Sequence, residues 1–360
     1  MLYYLNETAA VFSKPQGNDL YEVEVLMGNS RHVLRYELSE ASLNLILGFS
    51  EPASIEEMSK KFRLKISDIE TFIEVFIDDC VLVSLCDAVN VDQDGLYSRQ
   101  MNFLSGFASS IEKVNTWQQN LQNSNVVILG LGGIGSWVAT QLSMMGVRNL
   151  TLIDPDTVSK TNLSHQAYFD PADIGRSKAQ VLADRFANLD ADFNTTVVHQ
   201  KVCKAEQLCD YLDKVDILIN CADEPSVEET NDLVTKVCFS TNTKHILCGG
   251  YDGHETSIGQ TVIPYETSCW RCYIEGGVYE TLMRGFTNHS ISVSQKKGAV
   301  IAPTANITAS ITALEAVKVI CDYQAPNMIN AKGEFSFANM EMSQIEIPIF
   351  NDCSQCSGGK

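Results

Sequence analysis

The chain has 360 residues, twelve of them cysteine, and a formal net charge of −19 at pH 7. A chain of this length can bury a large core and is expected to form two domains. The strong negative charge argues against nucleic acid and anionic membrane surfaces as partners, because both repel an acidic protein.

The first residues and the cysteine pattern predict a cytoplasmic protein. The opening segment Met1-Leu-Tyr-Tyr-Leu-Asn-Glu7 lacks the basic and long apolar regions of a signal peptide. No apolar run is expected to be long enough to span a membrane. The cysteines lie mostly in apolar runs and in metal-type pairs, which is typical of a reducing compartment.

Residues 1–90 are predicted to form a small α+β domain of the winged-helix type. Alternating segments at Tyr21–Leu26 and His32–Leu38 predict a hairpin that turns at Gly28-Asn29. A short strand at Val81–Leu85 is expected to close the domain. Between the hairpin and this strand three helices are expected, at Glu40–Leu47, Ile55–Phe62 and Asp68–Asp78. The last two begin with capping-box patterns, at Ser54-x-x-Glu57 and Ser67-x-x-Glu70.

The charge of this first domain argues against DNA binding. Residues 1–90 contain seven Lys and Arg against fifteen Asp and Glu, and a DNA-binding domain needs a basic face. The arrangement resembles instead the peptide-recognition domain that precedes many enzymes modifying ribosomally made peptides. There, a leader peptide adds a strand to the hairpin edge. A structural or dimerising appendage is the alternative. The polar residues 88–95 are the expected linker.

A glycine-rich turn after a predicted strand indicates a nucleotide site. Val126–Leu129 predicts a buried strand, and a helix is expected at Ser136–Met145. Asp154, at the end of the next strand, is placed to accept a hydrogen bond from a ribose hydroxyl. Glycines let the backbone approach a phosphate at the helix N-terminus. A G-x-G-G-x-G pattern supplies Gly130, Gly132, Gly133 and Gly135. Alone, this glycine pattern is equally typical of a site that binds NAD or FAD.

The other motifs differ from those of a dehydrogenase. In chain order they are Leu96-Tyr97-Ser98-Arg99-Gln100, Asp154-Pro-Asp156, Asn162-Leu-Ser-His165-Gln166, Gly175-Arg-Ser-Lys178 and a predicted strand ending in Asp223. Together with the glycine pattern they resemble the ThiF/MoeB family of ubiquitin-activating-type enzymes, over roughly residues 96–356. The resemblance implies a Rossmann-like ATP-binding domain, expected at residues 91–360, in an α/β fold.

The resemblance also implies roles for the motif residues. The expected ATP-binding residues besides the glycines are Asp154, Asp156, Asn162 and Lys178. Asp223 would bind Mg²⁺, and Arg99 would reach the nucleotide of the partner subunit in a homodimer. Arg99, Lys178 and Asp223 are therefore the candidate catalytic residues. Each has an ordinary alternative: a salt bridge for Arg99, an exposed helix-start lysine for Lys178, a helix cap for Asp223 and a turn for Asp156.

One position departs from the family pattern. His165 stands where the family has arginine in N-L-x-R-Q. Arginine is a permanent, forked phosphate donor, whereas histidine is shorter and at most about half protonated near neutral pH. Attack of the substrate at the α-phosphate, which gives an acyl-adenylate, and attack at the γ-phosphate, which gives an acyl-phosphate, therefore both stay open. A catalytically silent peptide clamp that binds nucleotide is a further alternative.

Two C-x-x-C pairs predict a structural zinc site, because this spacing lets two thiolates hold one tetrahedral ion. They are Cys269-Trp-Arg-Cys272 and Cys353-Ser-Gln-Cys356, and the ThiF/MoeB family carries a four-cysteine site late in its chain. A redox pair would need no second pair. The other cysteines are expected mostly in the core, with no catalytic nucleophile among them: Cys80, Cys86, Cys203, Cys209, Cys221, Cys238, Cys248 and Cys321.

The segment Glu275–Val300 precedes a predicted helix at Ala305–Ile320. In the family this crossover segment lines the substrate channel. Its basic residues are hypothesised to contact an acidic substrate, and a solvated loop is an equal alternative. These residues are Arg284, His289, Lys296 and Lys297.

The sequence therefore predicts a homodimeric enzyme, dependent on ATP and Mg²⁺, that activates a carboxylate of a ribosomal precursor peptide. A neighbouring nitrogen of the same peptide would then capture the activated group and close a ring. The combination of domains resembles the microcin C-type and pantocin A-type enzymes, so the carboxylate is either the C-terminus or a glutamate side chain. His165 favours the second slightly. Adenylation of the C-terminal glycine of a ubiquitin-like sulfur carrier is the alternative, and an NAD oxidoreductase is the least favoured.

Overall fold

The computed structural model describes residues 1–85, 95–189, 192–252, 255–283 and 300–356. The chain divides into two compact units, Met1–Asn120 and Leu121–Lys360. Each unit has its own elements and is described by itself.

The described part of the N-terminal unit contains five strands and five helices. The strands are β1 (Leu2–Leu5), β2 (Ala9–Gly17), β3 (Leu20–Met27), β4 (His32–Ser39) and β5 (Leu82–Leu85). The helices are α1 (Glu40–Gly48), α2 (Ile55–Phe62), α3 (Ile66–Asp78), α4 (Ser98–Ser105) and α5 (Ile111–Asn123). Strand β3 lies between β2 and β4 in an antiparallel sheet, and β1 pairs with β5.

The core of this unit forms between one face of β3 and the three helices that follow it. Side chains alternate along a strand, and Val23, Val25 and Met27 are the buried set of β3. They share one apolar cluster with residues of α1, α2 and α3 and of the turn after α1, namely Leu45, Ile46, Phe49, Met58, Ile69, Ile73 and Phe76. The apolar spacing of the helices therefore fixes which face of the hairpin is covered.

The local predictions for this unit are mostly confirmed. The hairpin forms as β3 and β4, and β2 adds a strand that sequence analysis did not predict. The Ser54 box is confirmed, because Ser54 N–H donates to Glu57 Oε2 at 2.7 Å and Glu57 N–H donates to Ser54 Oγ at 3.2 Å. The Ser67 box is wrong, since α3 begins at Ile66 with Lys65 as its N-cap. The winged-helix assignment and the boundary at residue 90 stay predictions.

The C-terminal unit is built on a six-stranded sheet. Its strands are β6 (Asn125–Leu129), β7 (Asn149–Ile153), β8 (Asn194–Val198), β9 (Ile217–Asn220), β10 (His245–Leu247) and, after two strands of another sheet, β13 (Gln260–Val262). The spatial order is β13-β10-β9-β6-β7-β8, with all neighbours parallel except β13, which is antiparallel to β10. The strand order therefore reverses at β6, with β7 and β8 on one side of it and β9 and β10 on the other. In such sheets ligands bind at the carboxyl ends of the strands, at the point of reversal.

The other strands of this unit form a four-stranded antiparallel sheet, β11-β12-β14-β15. They are β11 (Tyr251–Asp252), β12 (Glu255–Ile258), β14 (Ala331–Ser336) and β15 (Glu341–Glu346). The helices are α6 (Gly133–Met144), α7 (Lys178–Ala187), α8 (Glu206–Cys209), α9 (Val227–Thr241), α10 (Trp270–Glu275), α11 (Val278–Met283) and α12 (Ala302–Cys321), with short 3₁₀ helices at Lys160–Ser164 and Pro171–Asp173.

The parallel sheet confirms the predicted α/β class. Val126–Leu129 and Ile217–Asn220 are buried along their whole length, as expected where helices cover both faces of a parallel sheet. Two boundaries were predicted wrongly. Helix α6 begins at Gly133 rather than Ser136, and β9 ends at Asn220 rather than Asp223.

Among the described residues, α12 is the one helix that is long and apolar enough to cross a membrane by length and composition. The expectation that no segment reaches this length is therefore wrong for α12. Core helices meet the same criterion, and α12 packs against α6 and β12. Its Glu315 is 2 % exposed and accepts hydrogen bonds from the backbone N–H groups of Asn327 and Met328, each at 2.8 Å. A buried, satisfied carboxylate of this kind is a feature of a core helix.

A buried histidine makes the stability of this unit depend on pH. His245 at the start of β10 is fully buried, and burial lowers its pKa to about 4 although Nδ1 lies 3.1 Å from the Thr243 carbonyl oxygen. Below about pH 6.5 the unfolded chain binds a proton that the folded chain does not, so the free energy of unfolding falls as the pH falls toward 4. This loss amounts to about 2 kcal/mol between pH 7.5 and pH 5.

We expect His245→Gln to remove that part of the pH dependence, measured by urea unfolding at the two pH values. The matched control is His199→Gln, which replaces an exposed histidine and should leave the dependence as it is. An unchanged pH dependence in His245→Gln would contradict the assignment.

Candidate nucleotide site and metal centre

The turn from β6 into α6 leaves space beside the start of the helix. Gly130 has a φ of +86°, and its N–H donates to the Ile153 carbonyl at 2.8 Å. A Cβ at Gly135 would lie 1.9 Å from the Gly130 carbonyl oxygen, so close packing requires glycine there. A Cβ at Gly132 would meet no described atom within 4 Å. The absence of a side chain at Gly132 thus opens a path to the unpaired N–H groups of α6, which begins with Gly133.

Asp154, directly after β7, holds this turn together. It is 4 % exposed, and its Oδ2 accepts a hydrogen bond from Leu131 N–H at 2.6 Å. Its Oδ1 accepts from Asp156 N–H at 2.7 Å. Burial raises the pKa of Asp154, and the charge of Lys178 and the two N–H donors oppose that rise. A carboxylate has about four acceptor positions, so Asp154 can still accept a hydrogen bond from a ligand hydroxyl.

Lys178 is a buried cation at the start of α7. It is 4 % exposed, and its Nζ donates to Asp156 Oδ2 at 2.8 Å. Its backbone N–H donates to the Asp156 carbonyl at 3.1 Å. The alternative of an ordinary exposed lysine is therefore wrong, whereas that of Asp156 as a turn residue after Pro155 stays open. An ammonium has three donors, and Asp156 uses one of them, so Lys178 can bind an anion as well.

Asn162 and His165 occupy the 3₁₀ turn and the residue after it. The Asn162 Oδ1 accepts from Ser159 N–H at 2.8 Å and from Ser159 Oγ at 3.0 Å, which leaves the Nδ2 amide group as the donor toward a ligand. Burial lowers the pKa of His165, and the charge of Lys178 lowers it further. In the site without nucleotide His165 is therefore mainly neutral near pH 7, and unlike the family arginine it carries no permanent positive charge.

Two side chains of α6 position this turn, and sequence analysis missed both. Trp137 Nε1 donates to the His165 carbonyl at 3.2 Å, and Ser136 Oγ accepts from Ala167 N–H at 3.0 Å. Neither residue belongs to a motif, because contacts between segments 28 and 31 residues apart leave no local pattern. Their effect is to fix the Asn162 turn against the helix whose N-terminus faces the glycine loop.

Asp223 lies three residues beyond the end of β9 and is exposed. Its neighbour Ala222 packs against the glycine loop, since a Cβ on Gly130 would lie 2.7 Å from Ala222 N. The alternative of Asp223 as a helix cap is wrong, because Ser226 caps α9 and accepts from Glu229 N–H at 3.1 Å. The carboxylate of Asp223 is therefore available near the turn, as a Mg²⁺ ligand requires.

Arg99 belongs to the N-terminal unit. It is the second residue of α4 and is exposed, and it forms no ion pair with any residue in the described ranges. Its predicted action across a homodimer interface stays a prediction. The structure thus brings together the glycine turn, Asp154, Asp156 and Lys178, and places Asp223 beside them.

The two C-x-x-C pairs form one cluster. The four sulfur atoms lie within 4.8 Å of one another, and three of the four residues are buried: Cys269, Cys272, Cys353 and Cys356. The resolved Sγ–Sγ distances range from 3.2 to 4.0 Å. Four thiolates at about 2.3 Å from a tetrahedral Zn²⁺ would be about 3.8 Å apart. The donor set and the spacing therefore fit zinc with no position left for a substrate.

Two backbone N–H groups donate to sulfur atoms of the cluster and would stabilise thiolates on Cys272 and Cys353. Phe350 N–H donates to Cys272 Sγ at 3.5 Å, and Cys356 N–H donates to Cys353 Sγ at 3.4 Å. Hydrogen bonds among the thiols, that between Cys269 and Cys272 first, lower the pKa of Cys272 and raise the pKa of Cys269, so without an ion the thiols share protons. The cluster joins α10 to a segment 84 residues further along the chain, so an ion there would tie the C-terminus to the sheet unit.

The other cysteines only partly match the expectation of a core location. Cys238, Cys248 and Cys321 are buried, whereas Cys203 and Cys209 are exposed, so the expectation was wrong for those two. Cys80 and Cys221 are half-buried. The Sγ atoms of Cys221 and Cys248 lie 3.4 Å apart, at the carboxyl ends of β9 and β10.

Some predictions lie outside the described residues. They concern the four basic residues of the crossover segment, Cys86 and most of the expected linker: Arg284, His289, Lys296, Lys297, Cys86 and residues 88–94.

Comparisons with known proteins agree with this geometry. The model of the ThiF family matches residues 97–357. The sulfur carrier protein ThiS adenylyltransferase of Escherichia coli (strain K12) is 28% identical over 244 residues, which cover 67% of this chain and 89% of that protein. The molybdopterin-synthase adenylyltransferase of the same strain is 30% identical over 238 residues, which cover 65% of this chain and 86% of that protein.

The fold is similar to that of a solved structure over nearly the whole chain. The E. coli MccB structure with ATP has a TM-score of 0.76 at 22% identity and covers 99% of this chain and 100% of that chain. The microcin C7 biosynthetic enzyme MccB in complex with N-formylated MccA has a TM-score of 0.76 at 20% identity, with the same coverage. The likeness therefore includes the N-terminal unit, and it confirms the fold.

If Lys178 binds the phosphates of ATP, Lys178→Met will weaken ATP binding about 10- to 100-fold. This range follows from roughly 1.5–3 kcal/mol for a hydrogen bond to a charged group. Isothermal titration with ATP measures the change. Lys236→Met, which replaces an exposed lysine of α9, is the matched control, and equal ATP affinities of both variants would contradict the role of Lys178.

If the four-cysteine cluster holds zinc, metal analysis will find one zinc per chain. Cys272→Ser should release the zinc and lower the melting temperature by roughly 10 °C. This figure uses a shift of about 2–4 °C for each 1 kcal/mol lost from the free energy of unfolding in a unit of this size. Cys209→Ser changes an exposed cysteine and should keep both the zinc and the melting temperature. A metal-free protein with the same melting temperature as the zinc-loaded form would refute the site.

Proposed function

The chain belongs to the ThiF family, and from this premise we propose that it is an ATP-dependent adenylating enzyme that activates a carboxylate of a ribosomally made precursor peptide. The observation that supports a peptide substrate is the extent of the fold similarity. It covers 99% of the chain, including the N-terminal unit, in the comparison with the microcin C7 biosynthetic enzyme MccB in complex with N-formylated MccA. The matches to the two adenylyltransferases span only about two thirds of the chain.

The chemistry follows from the nature of the carboxylate. A carboxylate is a poor electrophile, so one of its oxygens attacks the α-phosphorus of ATP, and pyrophosphate leaves. The resulting acyl-adenylate has AMP as a leaving group, which a nitrogen of the same peptide displaces to form an amide-type ring. Positioning and charge stabilisation account for most of the catalysis in such transfers.

Each residue of the site has one part in this proposal. Asp154 accepts a ribose hydroxyl, and the N–H groups at the start of α6 and the Lys178 ammonium bind the phosphates. Asp156 orients Lys178 through their 2.8 Å contact. Asn162 adds its Nδ2 donor. Mg²⁺, held by Asp223, would neutralise the charge that develops on the departing pyrophosphate.

The neutral His165 bears on which phosphate reacts. Since burial and the charge of Lys178 lower the pKa of His165 in the site without nucleotide, Lys178 is the one buried cation near the glycine turn among the described residues. ThiF-type adenylyltransferases transfer the adenylyl group, so we favour attack at the α-phosphate. An acyl-phosphate from attack at the γ-phosphate is the alternative outcome of the test below.

The N-terminal unit would bind the leader of the peptide. Strand β2 covers one edge of the predicted hairpin, so within the described residues β4 is the edge of the hairpin that no strand covers. An added peptide strand would pair there with unpaired N–H and C=O groups of β4. The proposal extends to a cytoplasmic homodimer in which Arg99 completes the site of the partner subunit, and to a structural zinc ion on the four cysteines.

Product analysis after incubation with Mg-ATP and a candidate peptide, encoded by a short neighbouring reading frame, tests the proposal. Phosphorus NMR should show AMP and pyrophosphate, and mass spectrometry should show a peptide lighter by one water. ADP and phosphate would move the reaction to the γ-phosphate. Tight peptide binding without nucleotide consumption would overturn the enzyme proposal in favour of a clamp.

A second candidate function is supported by the curated relatives. Both E. coli adenylyltransferases are named for sulfur-carrier or molybdopterin systems, so the C-terminal glycine of a ubiquitin-like carrier is an alternative substrate. Incubation with such a carrier in place of the peptide distinguishes the two. Pyrophosphate release with the carrier and not with the peptide would favour this second function.

We further expect the peptide leader to slow amide hydrogen exchange in β4 while leaving β2 unchanged, because only the pairing strand loses contact with water. Exchange mass spectrometry of the full chain with and without the peptide measures this. Slower exchange in β2 but not in β4 would place the leader on the other edge of the sheet.

A further inference from the structure

A small cavity lies in the C-terminal unit near the carboxyl end of β10. Its volume is about 130 Å³, close to the roughly 150 Å³ of a cavity that holds benzene. It can therefore take one side chain and is too small for a nucleotide. Its walls come from α9, α10, α11, β14 and the residues after β10, and they include Asn231, Cys248, Tyr273, Tyr279 and Lys332.

Lys332 of β14 gives the cavity a positive charge, with no carboxylate of the described residues at ion-pair distance. Its Nζ lies 5.0 Å from the centre of the Tyr273 ring, and among the described residues the ammonium forms no hydrogen bond or ion pair. Burial lowers the pKa of Lys332, and Glu334 opposes the shift. A cation facing an aromatic ring gains some stabilisation, but less than a direct anionic partner provides in a partly desolvated site.

The cavity adjoins the nucleotide site. Cys248 lines it, and the Cys248 Sγ is 3.4 Å from the Sγ of Cys221. A Cβ on Gly135 would in turn lie 3.1 Å from Cys221 Cβ. Asn231, also in the wall, accepts from Asn220 Nδ2 at 2.8 Å at the end of β9. Strand β9 therefore lies between the cavity at the end of β10 and the glycine turn at the end of β6. A peptide substrate that reacts at the turn can place a neighbouring side chain in the cavity.

We propose that this cavity binds an acidic side chain of the peptide substrate, with Lys332 as its counter-ion and Tyr273 and Tyr279 against its aliphatic part. This inference rests on the proposed function for the identity of the substrate. The size of the cavity selects a single carboxylate group. Glu228 also lines the cavity but is exposed, and a doubly charged phosphate would be repelled by it more strongly than a carboxylate.

The test compares two small probes without nucleotide. They are N-acetyl-glutamate amide and N-acetyl-glutamine amide, which have nearly the same shape but differ in charge. Ligand-observed NMR titration should show at least about tenfold tighter binding of the glutamate probe to the unaltered protein. Equal affinities, or binding of neither probe, would overturn the proposal, whatever the behaviour of any variant.

Variants then assign the preference to Lys332. Lys332→Met should abolish it, and Lys332→Arg should retain part of it. Lys244→Met, which changes an exposed lysine just before the opposite end of β10, should leave it unchanged. A full preference in Lys332→Met would overturn the assignment.

Pyrophosphate release from ATP is measured separately, so the two proposals can fail independently. A charge preference without pyrophosphate release supports the cavity and contradicts the enzyme. Pyrophosphate release without a charge preference does the reverse.

Discussion

The candidate nucleotide site depends on one buried carboxylate. Asp154 accepts hydrogen bonds from Leu131 N–H of the glycine turn and from Asp156 N–H of the following segment. Asp156 in turn accepts a hydrogen bond from the ammonium of Lys178, the first residue of α7. Three segments that are distant in the chain are thus fixed by two backbone donors and one ion pair. A buried carboxylate is costly unless it is paired in this way, so the same contacts that relieve Asp154 also shape the site.

The sheet explains why these contacts and the small cavity lie together. β6, β9 and β10 are parallel neighbours, so their carboxyl ends face the same edge and carry the glycine turn, Asp223 and Cys248 respectively. The four-cysteine cluster joins α10 to the C-terminal segment, and Trp270 and Tyr273 of α10 line the cavity. A zinc ion on these cysteines would therefore hold the cavity wall as well as the end of the chain.

The sequence correctly predicted the parts of the structure that are encoded by short local motifs. The glycine turn, Asp154, the paired cysteines and the Ser54 capping box are each defined within a few residues. The sequence did not predict features that depend on contacts between residues far apart in the chain. The pairing of Lys178 with Asp156, the contact of Trp137 with His165 and the strand β2 follow from tertiary packing. The Ser67 box and the extent of β9 were predicted wrongly, since Ser67 lies inside a helix that begins at Ile66 and β9 ends three residues before Asp223.

The central claim is that the glycine turn and Lys178 bind the phosphates of ATP. A crystal structure with a non-hydrolysable ATP analogue tests this directly. The ribose should contact Asp154, and the phosphates should lie beside Gly132 and the start of α6, within hydrogen-bond distance of Lys178 Nζ. An analogue bound elsewhere, or with its phosphates away from Lys178 and the turn, would contradict the account.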